Sequence, residues 1–167
     1  MPQTHRRYTL KTKEAKQVFT QAQQKINLNL ENMYGAKTDI ETVESENTQI
    51  FLINGKPIFF RAGETVLPTL QATEMLQQLP KIIVDMGAIP HVCNGADIMA
   101  PGIVRIEGEF SKGALVLIAD VKHGKPIALG ETLLASAEAK ITKKGIVVKN
   151  LHYVGDEIWD LTKTIAS

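Results

Sequence analysis

The sequence predicts an α+β protein in which a mixed α/β domain over residues 1–79 precedes a small β-barrel or β-sandwich over residues 80–167. Three observations predict this class. Apolar residues recur at helical spacing near the N-terminus, a β-hairpin signature follows in the same domain, and short β-type runs fill the second domain. At 167 residues, the chain is long enough to bury a hydrophobic core in such a fold.

The start of the first domain is predicted to be an amphipathic helix. Apolar residues recur every three or four positions from Lys13 onward, with lysines and glutamines on the other side. The apolar face consists of Ala15, Val18, Phe19, Ala22, Ile26 and Leu30. Residues 34–47 then form a polar connection that can hold a short strand.

A hairpin and a second helix are predicted to complete the first domain. Asn54-Gly55 lies between two β-rich runs, and this pair suits a tight turn whose two central residues need positive φ. The second helix is predicted over residues 67–79, with Pro68 in its first turn and Pro80 ending it. The predicted domain boundary lies at this second proline.

The second domain is predicted to consist mainly of strands, with little room for helix. Its β-type runs, separated by glycines and lysines, cover residues 81–85, 103–108, 114–121, 126–134 and 145–151. Residues 88–95 are predicted to form about two helical turns, with Pro90 in the first turn and Asn94-Gly95 as the stop signal.

The segment VDMGAIPHVCNGADIMAPGIV, residues 84–104, is too glycine-rich for a helix core and too apolar for a linker. Turns explain each of its glycines, including the one in Pro101-Gly102. Alternatively, Gly87 and Gly95 remove side chains from a surface so that a nucleic-acid backbone can come close. The residues alone leave both interpretations open.

Composition limits the function classes. The single cysteine, Cys93, excludes an internal disulfide and a cysteine-based zinc site, and it suits a reducing cytoplasm. No apolar run is long enough to span a membrane, and no secretory signal is evident. The histidines are scattered without a metal-binding spacing, and His91 near Cys93 is a weak pair. No enzyme activity, metal or cofactor is therefore predicted.

Charge is distributed unevenly, although the net charge is only +1. Residues 1–30 carry six basic side chains against one acidic one, residues 31–48 carry five acidic against one basic, and residues 122–149 carry six basic against two acidic. The pattern fits either a polarised binding surface or an ordinary solvated mixture of charges.

Several motifs resemble those of known proteins. Gly87-Ala88, Gly95 to Met99 and Pro101-Gly102 resemble the signature of PUA domains, which are small RNA-binding modules. The segment GKPIALGETLLASAEA is similar to the second hallmark of that domain. Together with INGKPIFFR, PTL, GADIMAPG and NLHYVGDEIW, these motifs resemble the family of the malignant-T-cell-amplified translation factor and its archaeal relatives, whose module ligatin shares.

The resemblance implies a pre-PUA domain at residues 1–79 and a PUA β-pseudobarrel with a short helix at residues 80–167. It also implies that RNA lies in a glycine-lined groove beside the first helix and the following strand. The corresponding positions, with two lysines added as candidate phosphate contacts, are Gly87, Ala88, Gly95, Ala96, Met99, Pro101, Gly102, Lys125 and Lys149. A second basic patch, suited to ribosomal RNA, would consist of Arg6, Arg7, Lys11, Lys13 and Lys16.

The resemblance favours a cytoplasmic translation factor that contacts the small ribosomal subunit and the acceptor end of tRNA, in initiation or recycling. Eukaryotic members work with a separate protein carrying an initiation-factor-like domain, which makes such a protein a candidate partner. Two alternatives stay open. The protein could be an interaction adaptor that docks a partner through the hairpin at residues 50–60 and the acidic segment 31–48, or a targeting subunit for an RNA-modifying enzyme.

Overall fold

The computed structural model describes residues 6–35 and 38–166, and contacts divide them into two compact units. The first unit contains the described residues up to Ala72 together with those from Asp160 onward, and the second unit is Thr73–Trp159. The sequence predicted a single division at Pro80, and this stays a prediction of the domain boundary. No helix in the described ranges is long and apolar enough to cross a membrane.

The first unit contains an antiparallel sheet of five strands in the order β1-β2-β3-β4-β5, together with two helices near the N-terminus. Its N-terminal elements are β1 (Arg6–Thr9), α1 (Thr12–Lys25), α2 (Leu30–Tyr34), β2 (Ile40–Glu44), β3 (Gln49–Ile53), β4 (Lys56–Ala62) and β5 (Thr65–Pro68). Helix α1 packs on the sheet through Phe19, whose ring meets that of Phe59 edge-on at 6.3 Å between centroids.

The hairpin prediction is confirmed. Asn54 and Gly55 have φ angles of 53° and 78°, so both central residues of the turn between β3 and β4 lie in the left-handed region. The first helix prediction needs a correction, because α1 ends at Lys25 and Ile26 is extended. The apolar pattern runs on past the end of α1 because a second helix, α2, begins at Leu30, and this residue is fully buried.

The helix predicted over residues 67–79 is largely wrong. Residues up to Pro68 belong to β5, where Leu67 pairs with Phe60 and Pro68 with Phe59, and only α3 (Thr73–Leu76) is helical. Strand β5 is an edge strand, so the missing N–H of Pro68 leaves no gap in the ladder. The Thr69 hydroxyl donates to the Pro57 carbonyl at 2.8 Å and fixes the chain after this strand.

The second unit is built around a curled six-stranded sheet in the order β7-β11-β10-β9-β6-β8, in which only β6 and β9 are parallel. After α3, its elements are β6 (Lys81–Val84), α4 (Ile89–Val92), β7 (Ile98–Met99), a 3₁₀ turn (Ala100–Gly102), β8 (Ile103–Glu107), β9 (Leu115–Asp120), β10 (Pro126–Thr132), α5 (Ser136–Ile141) and β11 (Ile146–Tyr153). Aliphatic side chains fill its core. The α+β class is therefore confirmed.

The C-terminal part has few helices, as predicted, but two of them were not predicted individually. Helix α5 lies between β10 and β11, and helix α6 (Glu157–Ala166) follows β11 and continues from the second unit into the first. Asp156 starts α6, because its carboxylate accepts the Trp159 N–H at 2.8 Å. Tyr153, just before this cap, packs against the core of the second unit.

Candidate nucleic-acid interface

A cleft of about 290 Å³ lies between α4 and the chain that runs through β7 into the 3₁₀ turn. Its lining residues are Val84, Ala88, His91, Val92, Ala96, Asp97, Ile98, Met99 and Gly102. Three of these, Ala88, Ala96 and Gly102, carry no side chain larger than a methyl group. The walls are largely apolar, so the cleft is suited to an uncharged face of a ligand rather than to a metal ion.

The end of β6 builds one wall of the cleft. Asp85 follows this strand, and its N–H donates to the Gly102 carbonyl at 3.0 Å. The carboxylate of Asp85 accepts the Ala88 N–H at 2.9 Å, which closes the turn before α4. Pro90 occupies the first turn of α4, as predicted. Asp85 therefore joins the start of α4 to the 3₁₀ turn after β7 by hydrogen bonds.

Packing explains two of the predicted glycines. Gly95 has a φ of 94°, and a Cβ there would lie 3.2 Å from the Tyr153 hydroxyl. A Cβ on Gly102 would lie 3.3 Å from the Cβ of Ala88. Gly87 differs, because a Cβ there would meet only the Asp85 Oδ1, at an ordinary 3.4 Å. Of these three glycines, Gly87 is the one that neither packing nor a positive φ requires.

Asn150 on β11 fixes the segment from Val92 to Asp97, which forms part of the cleft wall. This role was not predicted from the sequence. The side-chain amide of Asn150 donates to the carbonyls of Val92 and Ala96 at 3.0 and 2.9 Å, and its N–H donates to Asp97 Oδ1 at 2.9 Å. The Asn150 Oδ1 atom is buried without a hydrogen-bond partner among the described residues. The sequence signal that could have indicated this role was an asparagine in the mostly apolar strand segment before His152.

The structure brings together part of the predicted site. Ala88, Ala96, Met99 and Gly102 line the cleft, and the other three predicted positions of that segment are their sequence neighbours, Gly87, Gly95 and Pro101. Met99 is 46% exposed. His91 also lines the cleft, but the described chain holds no group of three or more residues that could bind a metal ion.

The two predicted phosphate contacts lie outside the cleft lining. Lys125 is exposed on the turn between β9 and β10, which approaches the cleft because the Val121 N–H donates to the Val84 carbonyl at 3.0 Å. Lys149 is exposed on β11 opposite Glu131, and strand alternation directs its side chain to the face opposite that of Asn150.

Acidic neighbours reduce the charge of the predicted second basic patch. The Arg7 Nε donates to Glu41 Oε2 at 2.9 Å, and this hydrogen bond and the arginine's charge lower the pKa of Glu41. Arg6 lies 5.5 Å from the centre of the Tyr8 ring. Lys11, Lys13 and Lys16 are exposed at the start of α1. The lysines are thus more available to an external phosphate than Arg7.

Cys93 is not suited to nucleophilic chemistry. It is half-buried against the core of the second unit, and burial raises the pKa of its thiol. A raised pKa lowers the fraction of thiolate, which is the reactive form. Cys93 is therefore a small packed thiol.

Comparison with known proteins defines the class. A family model for the PUA domain matches residues 80–154, and a model described as Domain of unknown function (DUF1947) matches residues 6–74. The molecule is thus a PUA-domain protein with a further domain before the PUA domain. A PUA-domain structure from Aeropyrum pernix K1, solved with tartrate, superposes with a TM-score of 0.83 at 22% identity, covering 98% of this chain and 94% of the other.

Sequence relatives define the family. Uncharacterized protein MJ1432 of Methanocaldococcus jannaschii is 36% identical, covering 93% of this chain and 96% of the relative. Malignant T-cell-amplified sequence 2 of Mus musculus is 34% identical (70% and 67% covered), and translation machinery-associated protein 20 of Saccharomyces cerevisiae is 28% identical (92% and 87%). A hypothetical protein of Pyrococcus horikoshii OT3 superposes with a TM-score of 0.77 at 31% identity, covering 94% and 99%. The chain belongs to this family of PUA proteins.

Proposed function

We propose that the protein is an RNA-binding, translation-related factor that holds RNA in the cleft and acts on the small ribosomal subunit and the acceptor end of tRNA, in initiation or recycling. The matched PUA domain, residues 80–154, contains every residue that lines the cleft. The yeast relatives carry the name translation machinery-associated protein 20, which supports a role in translation.

The observation that carries this proposal is the wall of small residues and main chain along the cleft. Ala88, Ala96 and Gly102 line it without bulky side chains, and Gly87 lacks a Cβ that packing would allow. Sugars and base faces can therefore approach the main chain closely. Lys125, on the turn that approaches the cleft, and Lys149, on the other face of β11, would add phosphate contacts that position the RNA without distinguishing bases.

The other partners follow from the same proposal. The exposed lysines of the second basic patch, Lys11, Lys13 and Lys16, would contact ribosomal RNA together with Arg6. A protein with an initiation-factor-like domain is a further proposed partner, and the cytoplasm is the proposed location. The adaptor alternative is less favoured, because the apolar side chains of the hairpin from Ile50 to Phe60 are buried and leave only the acidic segment 31–48 of its docking surface.

Direct binding tests the proposal. Purified small ribosomal subunits and deacylated tRNA, with and without the terminal CCA, are titrated with the protein over a salt series. We expect binding that weakens steeply with salt, because each phosphate contact releases counterions. Removal of the CCA end should weaken tRNA binding. No binding to either partner at moderate salt would reject the proposed function.

A substitution within the cleft provides a structural test. Ala96→Leu places a larger side chain in the cleft from an exposed position, so the fold should tolerate it. We expect the affinity for tRNA to fall about tenfold, or about 1.4 kcal/mol. Ala137→Leu on the exposed side of α5 is the matched control and should bind like the wild type. Equal affinity of both variants would place the RNA outside the cleft.

A further inference from the structure

The turn at residues 142–145, between α5 and β11, is attached directly to the wall of the cleft. The Ala100 N–H donates to the Gly145 carbonyl at 2.9 Å, and Ile146 pairs with Met99 across β11 and β7. Met99 lines the cleft. The two lysines of this turn, Lys143 and Lys144, are therefore three and two residues from Ile146, the partner of the cleft-lining Met99.

The surface between the cleft and this turn is exposed and apolar. Met99 is 46% exposed and its cross-strand partner Ile146 is 45% exposed, which is unusual for large apolar side chains that face each other on a sheet. A contiguous exposed apolar surface next to a binding cleft is a common sign that a ligand covers it. This pair forms a shelf that continues from the mouth of the cleft.

The charges of Lys143 and Lys144 are available to a ligand. Both side chains are exposed, and no carboxylate within residues 6–35 and 38–166 forms an ion pair with either one. Two arginines of the protein differ in this respect, since Arg7 pairs with Glu41 and Arg105 with Glu107. Gly145, with a φ of 85°, closes the turn that presents the two lysines.

From these features we infer that RNA leaves the cleft over the Met99–Ile146 shelf and that Lys143 and Lys144 bind its next phosphates. The inference rests on the proposed function and extends the site beyond the segment at residues 84–104. It gives the RNA a direction, from α4 across β7 and β11 toward the end of α5. The shelf itself has no aromatic side chain, so it contacts sugars and base faces without selecting a sequence.

Charge-neutral substitution tests the inference with deacylated tRNA bearing its CCA end as the probe. We expect the double variant Lys143→Gln/Lys144→Gln to bind about tenfold more weakly at low salt. The slope of log affinity against log salt should become shallower by about 1.4, from two lost contacts of about 0.7 each on single-stranded RNA. Lys143→Arg/Lys144→Arg should retain wild-type binding, because arginine also binds phosphate.

A control variant removes the same charge elsewhere. The variant Lys56→Gln/Lys112→Gln changes two exposed lysines. Lys56 lies at the hairpin of the first unit. Lys112 lies before the start of β9, and it is the end of this strand that adjoins the cleft. This variant should bind like the wild type. If both glutamine variants bind equally, the inference is overturned while the proposed function stands. If the wild type itself does not bind tRNA, the proposed function fails and this inference fails with it.

Discussion

Replacement of Asp156 by alanine is expected to lower the free energy of unfolding by about 3 kcal/mol. This carboxylate accepts the N–H groups of Tyr153 and Trp159 at 2.9 and 2.8 Å. One of its oxygens also lies 2.8 Å from Nδ1 of His152, whose side chain is completely buried. The substitution would therefore remove two interactions together, the cap of α6 and the carboxylate that contacts the buried His152.

Urea unfolding followed by circular dichroism measures this effect. Asp160→Ala is the matched control, because Asp160 is an exposed aspartate of the same helix. Among residues 6–35 and 38–166, its carbonyl accepts a hydrogen bond from the Thr164 hydroxyl and its carboxylate accepts none. The control should unfold within about 0.5 kcal/mol of the wild type. A similarly small effect for Asp156→Ala would show that the carboxylate does not stabilise the start of α6.

The effect of Asp156 should also depend on pH. Burial raises the pKa of this carboxyl, but the hydrogen bond and charge of His152 and the N–H groups of Trp159 and Tyr153 outweigh burial, so its pKa is lowered. A carboxyl with a lowered folded pKa stabilises the fold above its unfolded pKa of about 3.9, and this stabilisation is lost as the pH falls through the folded pKa. The difference in unfolding free energy between wild type and Asp156→Ala should therefore shrink as the pH falls below about 4.

Gly130→Ala is expected to destabilise the protein by about 3 kcal/mol, the upper part of the range for overpacking. A Cβ at this position would lie 2.3 Å from Cγ1 of Val148 and 2.9 Å from the Lys149 carbonyl. Both atoms belong to β11, which pairs with β10 here and shifts register between Leu129 and Gly130. The carbonyl cannot move without disturbing this ladder, so the strain cannot be relieved by a rotamer change.

The midpoint of thermal or urea unfolding measures this cost. Gly87→Ala serves as the comparison, since its Cβ would make only an ordinary contact, and its stability should stay within about 0.5 kcal/mol of the wild type. Should Gly130→Ala unfold like Gly87→Ala, the strands β10 and β11 would have to be further apart than the structure shows.

Local signals were sufficient to predict some elements and misleading for others. The hairpin was predictable because Asn54-Gly55 fixes a turn through its own φ preferences. The helix over residues 67–79 was wrong because its apolar spacing also fits a strand followed by a turn. Pairing of Leu67 with Phe60 and of Thr69 with the Pro57 carbonyl decided between them, and these partners lie seven to twelve residues away.

The residues that line the cleft also include some that could be predicted from the sequence and some that could not. The small residues Ala88, Ala96 and Gly102, which line the cleft, were predicted as candidate site residues through their resemblance to a known signature, whereas composition alone left them as turn residues. Val84 and Ile98 could not be predicted to line it, because they have the sequence character of core residues and the structure buries them. Asn150 was missed because its partners are more than fifty residues away.

The return of the chain to the first unit affects the order in which the protein can fold during synthesis. The first unit needs residues from Asp160 onward, including the buried Leu161 and Thr162, so it is the first to be started and the last to be completed. The second unit, Thr73–Trp159, is an insertion that emerges whole while the first still lacks its final helical segment. Domains commonly fold in the order in which they leave the ribosome; in this protein the inserted unit has all of its residues first.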